Sequence, residues 1–337
     1  MPYPHVIRLR GPWHFEPLAR ATLDADGQIT EISAGLPPAG RATVPEDWGD
    51  RLGSGFRGRV RYRRTFNPPA TLDPHERLWL VVKGVDAFGH VSVNGTRLGT
   101  IDGYALARGF EVTRLVGPRN EIDLEVELPQ ELPGVTQPLR PGRERLPGGP
   151  IGEVRLEVRA QWFLEPLAIW STPASDGFLI RGQARGEPLA SPLAVVVSGC
   201  EREIAYVETQ VGAWFEILAP APDFPVWTTH SPTLAPLEVK LLWGGTAVWQ
   251  AVIQTALRGA VVNADATLVE QILPDAAYQE FDRNGRTVIQ RLPLEWAEPV
   301  CFRLAYHPSV VGWSALPEQP APSAATYGRP WLESGEQ

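Results

Sequence analysis

Along much of the chain apolar and polar residues alternate one by one. In NEIDLEVELP (120–129), Ile122, Leu124, Val126 and Leu128 take every second place, the period of a strand with one wet face. VRLEVRAQWFL (154–164) repeats the pattern with Val154, Leu156 and Val158, and RLWLVVKGV (77–85) is a denser apolar run. In GHVSVNGTRLGTI (89–101), Val91 and Val93 alternate up to Asn94-Gly95, and Leu98 resumes beyond it. Asn-Gly accepts the positive φ angles of a type I′ turn, so this segment predicts a hairpin. Many antiparallel strands and few helices predict a sandwich or jelly roll up to about residue 160.

A second β block follows, to about residue 258: DGFLIRGQA, PLAVVVSG, AWFEILAP, LEVKLLWGG and AVWQAVIQTAL. Turns about every ten residues suit an immunoglobulin-like sandwich of about 100 residues. After Arg258 the texture changes. PDAAYQEFDRNG reads as a short amphipathic helix, with Pro274 at its start, Gly285 past its end, and Ala277, Tyr278 and Phe281 on one side. RTVIQRL reads as a strand, EPVCFRLAY as a helix with Pro299 early, and SVVGWSAL as a strand, an alternation that predicts parallel pairing. From Pro317 the Pro/Ala-rich tail reads as extended or disordered. The expected division is 1–162, 163–258, 259–318 and a tail over 319–337.

Composition sharpens this picture. The 337 residues include 34 Pro and 32 Gly, spread between short apolar runs as turns, which excludes long helical bundles. No run approaches the 18 apolar residues of a membrane-spanning helix, and MPYPHVIRLRGPW lacks the apolar core of a signal peptide. The cytoplasm is therefore the expected compartment, with no membrane partner. Cys200 and Cys301 are too few and too far apart for a disulfide framework or a thiolate metal site, and read as two reduced, packed thiols.

The net charge of −8 argues against nucleic acid, although Arg57, Arg59, Arg61 and Arg63 share one face of a strand. Such a stripe either meets phosphates or pairs with acidic residues on neighbouring strands, and the second reading is preferred. Gly53-Ser54-Gly55-Phe56-Arg57-Gly58 has dinucleotide-binding spacing but opens into a strand, leaving no helix N-terminus for a pyrophosphate. The six His show no HExxH or paired spacing, so neither a metal nor another cofactor is expected. Asn94-Gly95-Thr96 is a sequon explained by the hairpin, and Gly312-Trp313-Ser314-Ala315-Leu316 lacks the last glycine of a nucleophile elbow.

GPWHF, VRYRRTF, LVVKGVDAFGHVSVNGTRLGTIDGY, PRNEIDLEV and GGPIGEVRLE follow one another in an order that resembles the galactose-binding-like jelly roll of glycoside hydrolase family 2. That family includes β-galactosidases, β-glucuronidases and β-mannosidases. WTTHSPTLAPLEVKLLW with the closing ALRG resembles the last strands of the family's immunoglobulin-like domain. RGAVVN, YQEFDRNGRTVIQ and AYHPSVVGWSALPE resemble pieces of its catalytic (β/α)₈ barrel. The implied fold is mainly β: jelly roll, immunoglobulin-like sandwich, then a short α/β remnant of the barrel.

The resemblance places Glu318 at the family's general acid/base. Here Leu316 and Pro317 precede it where the family keeps Gly-Asn, and the implied sugar hydrogen bond is one proline cannot make. A retaining glycosidase needs a second carboxylate about 5–5.5 Å away. Only nineteen residues follow Glu318, with Glu333 and Glu336 in a Pro-rich stretch, so Glu318 reads as vestigial. Asp102 and Tyr104, in the loop after the hairpin, are either sugar contacts or an ordinary polar loop, an acid accepting hydroxyl protons and a ring covering C–H faces. Trp313 either floors a sugar pocket or packs in the core.

Three functions are compatible with these residues. The preferred one is a catalytically inactive relative of the family, acting as a carbohydrate-binding or interaction module in carbohydrate metabolism. The alternatives are an active retaining β-glycosidase whose site is completed across an oligomer interface, and a structural subunit-contact protein. The expected partners are a carbohydrate and, through the shortened barrel region, a second copy of the chain.

Overall fold

The computed structural model describes residues 4–130, 147–171, 176–259, 265–315 and 327–332. The chain forms two compact units, Pro4–Arg159 and a second from Ala160 onward.

The first unit contains β1 (His5–Arg8), β2 (Trp13–Leu23), β3 (Ile29–Ile32), β4 (Gly40–Ala42), the one-turn α1 (Gly49–Leu52), β5 (Gly58–Phe66), β6 (Glu76–Val82), β7 (Phe88–Val93), β8 (Thr96–Asp102), β9 (Arg108–Glu111), β10 (Asn120–Leu128) and β11 (Val154–Ala160). One sheet runs β1-β11-β6-β9; the other runs β3-β2-β5-β10-β7-β8, with β4 also on β2. The register explains the alternation read from the sequence. Phe15, Tyr62, Leu124 and Val91 stand opposite one another on successive strands and are buried. One residue further along, Glu16, Arg61, Glu125 and His90 form the matching outer row.

The arginine stripe lies on that outer face and is met by acids. Arg59 pairs with Glu31 at 2.7 Å and Glu125 at 3.2 Å, Arg61 with Asp123 at 3.3 Å, and Arg63 with Glu16 at 3.1 Å. The Asn94-Gly95 turn joins β7 to β8, with φ of 51° and 78° at its two residues. Asn94 also fastens the hairpin to β10: its Nδ2 donates to the Leu115 carbonyl at 2.8 Å, and its Oδ1 accepts from Glu121 N–H at 2.9 Å.

The second unit begins with a sandwich of β12 (Phe163–Trp170), β13 (Gly177–Arg185), β14 (Leu193–Gly199), β15 (Arg202–Thr209), β16 (Trp214–Pro220), β17 (Val226–Trp227), β18 (Ala235–Trp243), β19 (Thr246–Thr255) and β20 (Leu257–Arg258). Its sheets run β12-β13-β16 and β15-β14-β18-β19, and β17 pairs with β20. Phe178, Ile180, Val195, Val197, Leu237, Val239 and Leu241 fill the core between them. Then come β21 (Thr267–Val269), α2 (Asp275–Arg283), β22 (Val288–Leu292), α3 (Leu294–Leu304), β23 (Val310–Ala315) and β24 (Trp331–Leu332). These four strands pair in chain order and all in parallel, as the strand–helix alternation predicts.

Several expectations need correction. VRLEVRAQWFL is two strands, because the chain turns at Gln161-Trp162 from β11 into β12. There Trp162 enters the sandwich core, its indole 5.0 Å from that of Trp243 and its N–H on the Glu187 carbonyl. Helix α3 starts at Leu294, so Pro299 is interior rather than early. Within the tail, Trp331 and Leu332 are extended and add a strand to β23. Cys301 is buried, but Cys200 is exposed in a turn at φ 50°. The proposed first barrel strand, RGAVVN, lies largely outside the described residues.

Candidate functional site

Asp102 closes β8 and Tyr104 follows two residues later, so the hairpin itself delivers both to one short loop. Backbone bonds hold that loop in place: Gly103 N–H donates to the Ala87 carbonyl at 2.7 Å, and Val85 N–H to the Gly103 carbonyl at 3.1 Å. The supporting segment is anchored in turn, because Asp86 and Gly149 exchange two backbone bonds of 2.9 Å. A side chain at Gly84 has no room, since a Cβ there lies 2.7 Å from the Tyr104 Cα. Asp102 is exposed, Tyr104 is half-buried and Ile101 is fully buried behind them. An exposed carboxylate beside a partly covered ring, on a backbone fixed at both ends, offers an acceptor for hydroxyls and a face for C–H groups.

The α/β part of the second unit is arranged differently. Trp313 on β23 is fully buried, flanked in register by Gln290 and Trp331, with the Arg329 guanidinium 5.6 Å from its ring. It packs inside the unit and presents no ring face to solvent. Glu318 and the Leu316-Pro317 pair before it lie outside the described residues.

A buried polar node sits at the end of α2. Tyr278 and Asp282 lie one turn apart and are both fully buried. The Asp282 carboxylate accepts from His307 Nδ1 at 2.6 Å and from Ser309 N–H at 3.0 Å, and its backbone carbonyl accepts from the Trp227 indole at 2.7 Å. An ionised carboxylate only accepts, so the proton sits on Nδ1. Asp, His and Ser are the residue types of a nucleophilic triad, but Ser309 meets Asp282 through its backbone and all three are fully buried. The node works as a pin between α2 and the start of β23.

Gln290 makes a second pin. It accepts from Tyr278 Oη at 2.5 Å and donates to the carbonyls of Val269 at 3.0 Å and Arg291 at 2.8 Å. Burial pushes the Tyr278 hydroxyl up to about 12, so it stays a donor. Arg329 is a third. It is buried and donates to four backbone carbonyls, among them those of Ala305 and His307, both at 2.8 Å. Desolvation lowers it to about 9, which leaves it charged at neutral pH. Burial likewise pushes the Cys301 thiol up to about 12, where it is inert as a nucleophile.

Two further carboxylates of this part form ion pairs nearer the surface, Glu270 with Arg291 at 2.7 Å and Asp275 with Arg303 at 3.4 Å. Sequence reasoning missed Asp282, His307, Gln290 and Arg329. Asp282, Gln290 and His307 lay in the motifs YQEFDRNGRTVIQ and AYHPSVVGWSALPE but were given no role there, and Arg329 carried no signal.

Residues 57–147 match the family model described as the glycosyl hydrolase 2 galactose-binding domain-like domain. Among solved structures, the chain is similar to a β-glucuronidase of Bacteroides uniformis, with a TM-score of 0.65 and 14% identity over 93% of this chain and 47% of that one. A β-glucuronidase of Bifidobacterium dentium gives 0.64 and 18%, covering 93% of this chain and 69% of the other. A GH2 β-galacturonidase of Eisenbergiella tayi gives 0.65 and 15%, covering 93% and 65%. At these identities the likeness is one of fold, and the chain spans about half the length of the B. uniformis enzyme. No curated protein matches the chain.

Proposed function

We propose that this chain, built from the β modules of a family 2 glycosidase, binds carbohydrate through its first unit and does not hydrolyse glycosides. The observation that carries the binding half is the Asp102–Tyr104 loop, which lies inside the segment matching a galactose-binding domain-like family and is held by backbone bonds from both sides. The non-hydrolytic half is supported by the chemistry of the α/β part. Its buried carboxylate, Asp282, is held by His307 and by the Ser309 amide. Pro317, directly before Glu318, removes both a side-chain amide and a backbone donor from the position where the resemblance calls for asparagine.

Isothermal titration of the full chain with galactose, glucose, mannose and their methyl β-glycosides tests the binding half. Saturable binding of at least one sugar is expected, weakened about tenfold in Asp102→Asn or Tyr104→Ala by loss of a charged acceptor or a stacking face. Absence of binding to the whole panel, or binding indifferent to both substitutions, overturns this reading.

A further inference from the structure

A cleft of about 380 Å³ opens on the first unit where β2, β4, β5 and β10 meet, and it includes neither Asp102 nor Tyr104 in its lining. Its walls carry three arginines, Arg41, Arg63 and Arg64, with His14 and Trp13, against a single carboxylate, Glu121. The basic groups are gathered by the register. His14 stands opposite Arg41 on one side and Arg63 on the other, and Asp123 follows opposite Arg63 on β10.

Arg63 is answered by Glu16 at 3.1 Å, as Arg59 and Arg61 are by their own acids. Among the described residues Arg41 and Arg64 form no ion pair. Arg64 is half-buried and lies over Trp13, its guanidinium carbon 5.9 Å from the ring centroid. Its hydrogen bonding is thin. One nitrogen reaches the Pro12 carbonyl at 3.5 Å, and its Nε is buried without a partner, as is that of Arg63. Trp13 is a firm platform, 1% exposed and tied by its indole N–H to the Leu9 carbonyl at 2.7 Å. Desolvation lowers the pKa of Arg64, the mark of a cation held without its counter-charge. All this sits on a chain of net charge −8.

We infer that this cleft binds a small organic anion through a phosphate or carboxylate group, gripped by the guanidinium forks of Arg64 and Arg41, with Glu121 accepting from the ligand's hydroxyls. Planar five-donor forks match such oxygens in pairs, and a guanidinium already stacked on an indole loses little freedom in doing so. The volume falls in the range of small-molecule sites and suits a phosphorylated or carboxylated monosaccharide. This inference is independent of the neutral-sugar reading above.

The test is calorimetric titration of the full chain at low salt with inorganic phosphate, glucose 6-phosphate, gluconate and glucose. Binding of the anions is expected, falling as salt rises, whereas any glucose binding at the Asp102–Tyr104 loop should be indifferent to both salt and Arg41→Ser. Glucose 6-phosphate binding more tightly than gluconate assigns the site to phosphate, and the reverse order assigns it to carboxylate. Arg64→Gln and Arg41→Ser should each weaken the preferred anion about tenfold or more. Arg41 is exposed, so Arg41→Ser carries the test even if Arg64→Gln misfolds. No anion binding, anion binding indifferent to salt, or anion binding unchanged in a folded variant overturns the inference.

Discussion

Asp282 shows how one residue fixes the geometry around it. Fully buried, it satisfies His307 and the Ser309 amide at once, and alanine there leaves both donors without an acceptor. Asp282→Ala is expected to cost about 3 kcal/mol. Differential scanning calorimetry should record that as a fall of roughly 5–10 °C in the melting of the second unit. Glu153 makes a milder case in the first unit. Burial acts to raise its pKa, but hydrogen bonds and charge from Arg155, with Lys83 and Arg8 nearby, hold it below the ordinary 4.5. A carboxylate lowered by folding contributes stability that is complete above its unfolded value and is lost as pH falls through the folded one. Glu153→Gln should therefore flatten the decline of melting temperature below pH 4.5 and leave neutral pH little changed in slope. At this scale the sequence told less than at any other. Asp102 and Tyr104 were legible because a hairpin signal placed them, whereas Gln290, His307 and Arg329 acquire their roles from partners 12 to 25 residues away.

Elements were legible where one face is buried and the other wet. β10 and β5 alternate cleanly, and both were read from that period. Two missed strands show what erases it. β15 has one buried residue in eight, so it carries no apolar stripe. β12 holds Pro166 and a register shift between Leu164 and Leu167, which breaks the alternation midway. β24 is two residues long, too short for any period, and exists because β23 offers a parallel edge. The arginine stripe on β5 resolved into ion pairs because β2, β3 and β10 place acids opposite it. The hairpin turn makes an element-scale prediction. Asn94 holds a left-handed conformation at φ 51° and three hydrogen bonds to neighbouring segments, so Asn94→Ala should cost about 1–2 kcal/mol. A lowered urea midpoint with an unchanged slope is the expected signature.

On the scale of the whole molecule, the first unit contains a family-matched segment, and the second contains a sandwich and, among its described residues, four parallel strands braced by buried polar side chains. The order of motifs in the sequence pointed to this architecture. What it did not reveal is how completely the α/β part is pinned, by Asp282–His307, by Gln290 and by Arg329. The proposed separation of sugar binding from sugar cleavage rests on that bracing and on Pro317 before Glu318. The most direct test is proton NMR of the full chain incubated with a panel of methyl and aryl β-glycosides. Saturation transfer to the signals of at least one glycoside, with no free anomeric signal growing in over hours, is the predicted result. Appearance of the free β-anomer ahead of the α-anomer, abolished in Glu318→Gln, would contradict the account and identify a working retaining glycosidase.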